Sequence, residues 1–153
     1  MKKYFKSLLA LTLLISSGLF IFPNGKAEAA TSSWQSVTKI SGCKVRVWTD
    51  YTIYTSNADT IDSYLESNGH CGRLEYEGMS AQQNENANFY SKNRFNGYFS
   101  NRTPIKRFNL DNFTGRFTGT TKGIYVNALV WKAGKKSTTA TLVSSVPLTV
   151  YKR

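Results

Sequence analysis

The chain is 153 residues long, with 20 Lys and Arg against 9 Asp and Glu, a formal net charge of +11 and two cysteines. That length suits one domain with one apolar core. Two cysteines and a single histidine leave a zinc site short of a ligand unless an acid joins them. The sequence also holds no Gly-x-Ser-x-Gly elbow, phosphate loop or HExxH helix.

The chain opens on Lys2, Lys3 and Lys6, then an apolar run from Leu8 to Phe22, a break at Pro23-Asn24-Gly25 and small residues at Ala27 and Ala29. This order predicts a secretory signal peptide over residues 1–29, bacterial in style and cleaved after Ala29. The rival, a retained anchor, is disfavoured because the run is shorter than the roughly 20 residues a bilayer needs. Residues 30–153 then form one β-rich domain, secreted and either released or held by the cell envelope. Export also permits a disulfide.

Val37 to Ile40 reads as a short strand and Ser41-Gly42 as a turn. From Cys43 the side chains alternate: Cys43, Val45 and Val47 on one face, Lys44, Arg46 and Trp48 on the other. That is the period of a half-buried strand. Joining Cys43 to Cys71 fastens this strand to the segment beginning at Gly72. Closing that loop contributes about 3–4 kcal/mol on the chain-entropy estimate; the alternative is two separate buried thiols. Thr49 to Tyr54 continues as strand, with Asp50 marking a bulge or break.

Ser56 to Asn68 admits two readings. One is a short helix capped by Asn57 or Asp59, with Ile61, Tyr64 and Leu65 on one face. The other is a strand ending at the Asn68-Gly69 turn pair, which its strand-like flanks favour. Cys71 to Met79 alternates again, Leu74 and Tyr76 against Arg73, Glu75 and Glu77. Ser80 to Asn88, rich in Gln and Asn, reads as a surface loop. Phe89 to Phe99 carries Asn96-Gly97, a hairpin-turn signal. Pro104 places Asn101 to Leu110 at a strand start or sheet edge, and Asp111 to Thr121 must turn. Ile124 to Trp131 is apolar on both faces, which predicts a central strand. Lys132 to Lys136 reads as a basic hairpin loop, and Thr138 to Val143 and Val146 to Tyr151 as the last strands, the final one near an edge because of Pro147. The expected fold class is all-β, an antiparallel β-sandwich or barrel with one disulfide.

Charge is segregated along the chain. Residues 30–91 hold 4 basic and 7 acidic side chains, whereas residues 92–153 hold 12 basic against Asp111 alone. Such asymmetry points to a polyanionic partner. The phenylalanines of residues 30–153 all fall between Phe89 and Phe117, interleaved with cations. Rings stack on sugars or bases while cations neutralise phosphates, though most of these rings read as core. The candidate ligand-binding residues are Lys92, Arg94, Arg102, Lys106 and Arg107, with Lys132, Lys135 and Lys136 of the basic loop.

Catalytic sets are weaker. His70 lies near Arg73, Glu75 and Glu77, a combination able to cleave RNA, but strand parity puts His70 on the opposite side. Glu75 and Glu77 sit roughly 6–7 Å apart by strand rise, the spacing of a glycosidase pair, but alternate acids on an exposed strand are ordinary. The sequence assigns no catalytic residue, metal or cofactor. It supports a secreted, non-catalytic β-domain that binds polyanionic envelope or extracellular polymers through its basic carboxy-terminal half. In a Gram-positive envelope these are teichoic acids or anionic lipid head groups. The alternatives are a secreted antibacterial or membrane-active toxin and a small secreted nuclease or glycosidase.

Overall fold

The structure is a computed structural model that describes residues 28–83, 89–135 and 140–153. The expected leader up to residue 27, the part of the Gln- and Asn-rich loop at 84–88, Lys136 and the expected strand start at Thr138 lie outside the described residues. The strands are β1 (Ala30–Thr31), β2 (Gln35–Ser36), β3 (Lys44–Thr49), β4 (Ile53–Tyr54), β5 (Thr60–Ser67), β6 (Leu74–Gln82) and β7 (Tyr90–Ser91), followed by β8 (Phe95–Phe99), β9 (Lys106–Asn109), β10 (Phe113–Thr114), β11 (Thr121–Lys132), β12 (Thr141–Ser144) and β13 (Leu148–Tyr151). A single 3-10 turn at Leu110–Asn112 separates β9 from β10. Among the described residues no helix is long and apolar enough to cross a membrane.

Two sheets face each other. In the first, β1 and β2 pair along β3, β3 pairs with β5, and β5 with β9, all antiparallel. In the second, β6 and β11 form the central pair. β7 and β8 flank β6, β12 and β13 flank β11, and β10 extends from β7. β11 is thus central, as its two apolar faces require. β4 joins β13 in parallel, a departure from the otherwise antiparallel order. The final strand therefore has only this two-residue strand beyond it.

Alternation builds the core. Val45, Val47, Ile61, Leu65 and Phe108 point inward from the first sheet and meet Leu74, Met79, Val126, Val130 and Leu148 from the second, all fully buried. Side chains of this size contribute roughly 1.5–3 kcal/mol each on burial. One seam of the sandwich is closed by Gln35, whose Nε2 donates to the Ser144 carbonyl at 2.7 Å while its Oε1 accepts from the Ser144 N–H at 3.0 Å. At the other seam the Phe95 and Phe108 rings meet edge to face, 5.4 Å apart. Cys43 and Cys71 are bonded, with Cα atoms 4.6 Å apart, so the start of the first sheet is fastened to the lead-in of β6.

Three local expectations change, one of them at Ser80 to Gln82, which end β6 instead of opening a surface loop, with Ser80 and Ala81 buried. The strand expected at Val37 to Ile40 lies at Gln35–Ser36 instead. Residues 37–43 form a loop closed by Val37 N–H to Cys43 O (3.0 Å) and Cys43 N–H to Ile40 O (3.2 Å), which delivers Cys43 to its partner. Within Thr49 to Tyr54 the break expected at Asp50 is present, and there the chain crosses from β3 in the first sheet to β4 in the second. The Asp50 Oδ1 accepts from the Tyr54 hydroxyl (2.6 Å) and the Asp62 N–H (3.0 Å), fixing that crossing. Burial and the Asp50 carboxylate raise the Tyr54 phenol far above its ordinary value, and burial raises Asp50 as well.

Asn96-Gly97 is not a hairpin turn; it lies within β8 and pairs with β6. Gly97 sits opposite Tyr76, and a Cβ there would stand 3.1 Å from the Tyr76 ring, so a larger residue would have to push the ring aside by a few tenths of an ångström. The Asn96 Oδ1 accepts from the Gly78 N–H at 2.8 Å, where β6 carries a bulge.

Candidate functional site

With the valines and Ile61 of β3 and β5 turned inward, Arg46, Trp48, Asp62, Tyr64 and Glu66 must stand on the outer face of the first sheet. The antiparallel register sets Arg46 against Glu66, Trp48 against Tyr64 and Asp62 against Arg107. Each pair interacts across the strands. The Trp48 and Tyr64 rings stack with centroids 4.8 Å apart and planes 14° from parallel. Arg46 Nε donates to Glu66 at 2.7 Å, and its guanidinium lies 4.4 Å from the Trp34 ring. Arg102 enters through a bridge to Glu66 and places its guanidinium 4.9 Å over Tyr64. Two short rows result: Trp34 against Arg46, and Trp48, Tyr64 and Arg102 in succession. Ring and guanidinium hold each other in place, by about 0.5–1 kcal/mol per contact at an exposed site. Arg107 grips Asp62 with two hydrogen bonds of 3.0 Å at the edge of the same face.

The candidate cations do not gather in one place. Arg102 and Arg107 share the outer face of the first sheet, and Lys106 lies at its edge with Nζ 5.3 Å from the Phe95 ring. Lys92 follows β7 in the second sheet, and Arg94 lies on that sheet's outer face beside Ser80 and Asn127. Lys132 ends β11, and Lys135 sits in the turn after it, its N–H bonded to the Lys132 carbonyl at 3.0 Å. Lys136 lies outside the described residues. Acids of the fold are held by arginines: Glu66 by Arg46, Asp62 by the candidate Arg107, and Asp59 and Asp111 by Arg153. Among the described residues, no carboxylate lies within ion-pair distance of Lys92, Arg94, Arg102, Lys106 or Lys132.

Of the weaker catalytic sets, Glu75 and Glu77 line one cavity on the outer face of the second sheet, and His70 is not among its lining residues. His70 is exposed in the turn before Cys71, with its main-chain N–H on the Asn68 side chain. Arg73 stacks over Tyr98 at 4.5 Å, and Glu75 accepts the Trp131 indole N–H at 3.1 Å on the outer face of the second sheet. Among the described residues no group of three or more His, Cys, Asp or Glu is placed to hold a metal ion.

Trp34, Arg46, Trp48 and Tyr64 are the site residues that the sequence reading leaves out. Arg46 and Trp48 already share a strand face in the sequence. Tyr64 and Glu66 repeat the same spacing of two, and matching such pairs across a register is the signal that finds them.

Comparison with known proteins adds the following. The YqgA MG2 macroglobulin domain family matches residues 27–151. The cell wall-binding protein YqgA of Bacillus subtilis (strain 168) is 47% identical over 98 residues, which cover 64% of this chain and 68% of that protein. No solved structure matches the chain.

Proposed function

The chain belongs to the YqgA MG2 macroglobulin domain family, and on that premise we propose that it is an exported, non-catalytic wall-binding domain. The named wall-binding relative supports the target. The observation that carries the mode of binding is the ring and guanidinium rows on the first sheet, beside cations that no carboxylate neutralises. Half-exposed rings offer flat apolar edges to a polymer, and the Arg102 guanidinium, already held against Tyr64 and without an acid partner, meets phosphate or carboxylate without first being ordered. Anionic wall polymers such as teichoic acids fit this surface. Attachment of this kind weakens as salt screens it.

Residues 1–29 act in this reading as the export signal. The start of β1 at Ala30, paired to Thr49, supports a mature chain beginning there. Secretion places the domain outside the membrane, associated with the envelope.

Arg102 and Lys106 provide the test, because each lies over a ring and neither has an acid partner. Neutralising both as Arg102→Gln with Lys106→Gln leaves no carboxylate unpaired. The expected result is an affinity for purified walls lower by about tenfold, the equivalent of roughly 1.4 kcal/mol. The melting temperature should stay within about 2 °C of wild type, as for other surface substitutions. Retention of the double variant equal to wild type at every salt concentration overturns the assignment.

A further inference from the structure

The outer face of the second sheet holds a groove. A cavity of about 270 Å³ is lined by Glu77, Ser80, Arg94, Asn127, Leu129 and Leu142. A second, of about 300 Å³, shares Glu77 and continues past Glu75 to Asn96 and Tyr98. The bulge of β6 makes room: Gly78 has φ +68°, and nothing stands within 4 Å of where its Cβ would be.

Asn127 is the telling residue. It sits on the central strand, is 3% exposed, and its Oδ1 has no hydrogen-bond partner. Among the described residues the other such atom, Thr49 Oγ1, is on the inward face of β3, toward the core of the sandwich. A buried amide without a partner is rare enough to call for a missing one, and Asn127 lines the groove. Around it the groove offers three further chemistries. Arg94 is an exposed cation with no carboxylate at ion-pair distance. Glu75 brings negative charge to the far end, and Glu77 lines both cavities. Leu129 and Leu142, paired across β11 and β12, are 42% and 55% exposed along one side.

We propose that this groove binds a short wall peptide: a free carboxylate at Arg94, a backbone amide at Asn127, small alkyl side chains against the leucines and an ammonium near Glu75. Glu75 and Ser80 are five positions apart on β6, at most about 16 Å by strand rise, which an extended tetrapeptide or pentapeptide spans. Opposite charges at the two ends fix its direction. The assignment rests on the wall-binding reading above and names a second wall component, distinct from the anionic polymer.

The probe is the synthetic peptide L-Ala-γ-D-Glu-L-Lys-D-Ala, titrated into the isotope-labelled chain spanning residues 30–153 and followed by NMR. Saturable shifts of the Asn127 side-chain amide and the Leu129 and Leu142 methyls are expected, weakened at least tenfold in Arg94→Gln. Arg94 is exposed, so that variant folds; Leu142→Lys is a second, equally exposed test and should also weaken binding. Shifts absent from the groove, with the wild-type chain still retained on purified walls, overturn the peptide site and leave the wall reading standing; a water then completes Asn127. Loss of both peptide shifts and wall retention overturns the two together.

Discussion

The two outer faces of the sandwich are built from the same materials and end in opposite states. On the first sheet every prominent side chain is answered by a neighbour: Trp48 by Tyr64, Arg46 by Glu66 and Trp34, Arg107 by Asp62. On the second sheet an amide oxygen is buried without a partner, an arginine lies beside a cavity, and two leucines are exposed. The register accounts for the contrast. β3 and β5 pair without interruption, so residues two apart on each strand meet in step. β6 shifts register against both β8 and β11 at Gly78, and the rows fall out of step there. A regular sheet face becomes a stiff platform, and a bulged one becomes a cleft.

Back-to-back placement of the faces depends first on the disulfide. Reducing it, or the paired Cys43→Ser and Cys71→Ser changes, should lower stability by about 3–4 kcal/mol for a loop of this length, read from urea midpoints with and without reductant. The contrast itself is sharpened by substitutions of opposite sign. Asn127→Leu removes the unpartnered oxygen at nearly constant size and should raise stability by about 1 kcal/mol, while abolishing the peptide-induced shifts. A double-mutant cycle on Trp48 and Tyr64 should give a favourable coupling of about 0.5–1.5 kcal/mol. Arg46 and Glu66, each about a third exposed, should couple by less than about 1 kcal/mol.

The smallest effect belongs to Asp50, where the first sheet hands over to the second. Its pKa is raised in the fold, chiefly by burial. A raised carboxyl binds its proton more tightly folded than unfolded, so its contribution is fully present below its unfolded pKa of 3.8 and is lost as pH rises through the higher folded value. Asp50→Asn still accepts from Tyr54 but cannot ionise. The stability difference, variant minus wild type, should therefore grow as pH rises from about 4 to 7; a difference that shrinks over that interval contradicts the assignment.

Much of this architecture was legible in the residues. Alternation at Cys43 to Trp48, at Leu74 to Glu77 and at Ile124 to Trp131 gave strands, faces and the central position of β11. Two cysteines left no choice of partner. Features that depend on distant chain were not legible. Gly97 looks like a turn residue until Tyr76 is laid across it from another strand. Lys92, Arg94, Arg102, Lys106 and Arg107 are close in sequence, but β8 belongs to the second sheet and β9 to the first, so the chain carries them to different faces. The platform drew its rings and Arg46 from the acidic half instead, because β3 and β5 are joined only by long-range register.

Attachment through the wall's anionic polymer is decided by the retention of residues 30–153 on purified walls across a salt series, before and after that polymer is chemically stripped. The account predicts that stripping removes the salt-sensitive part of retention. Salt sensitivity that survives stripping unchanged, or retention that ignores salt on the intact wall, contradicts it.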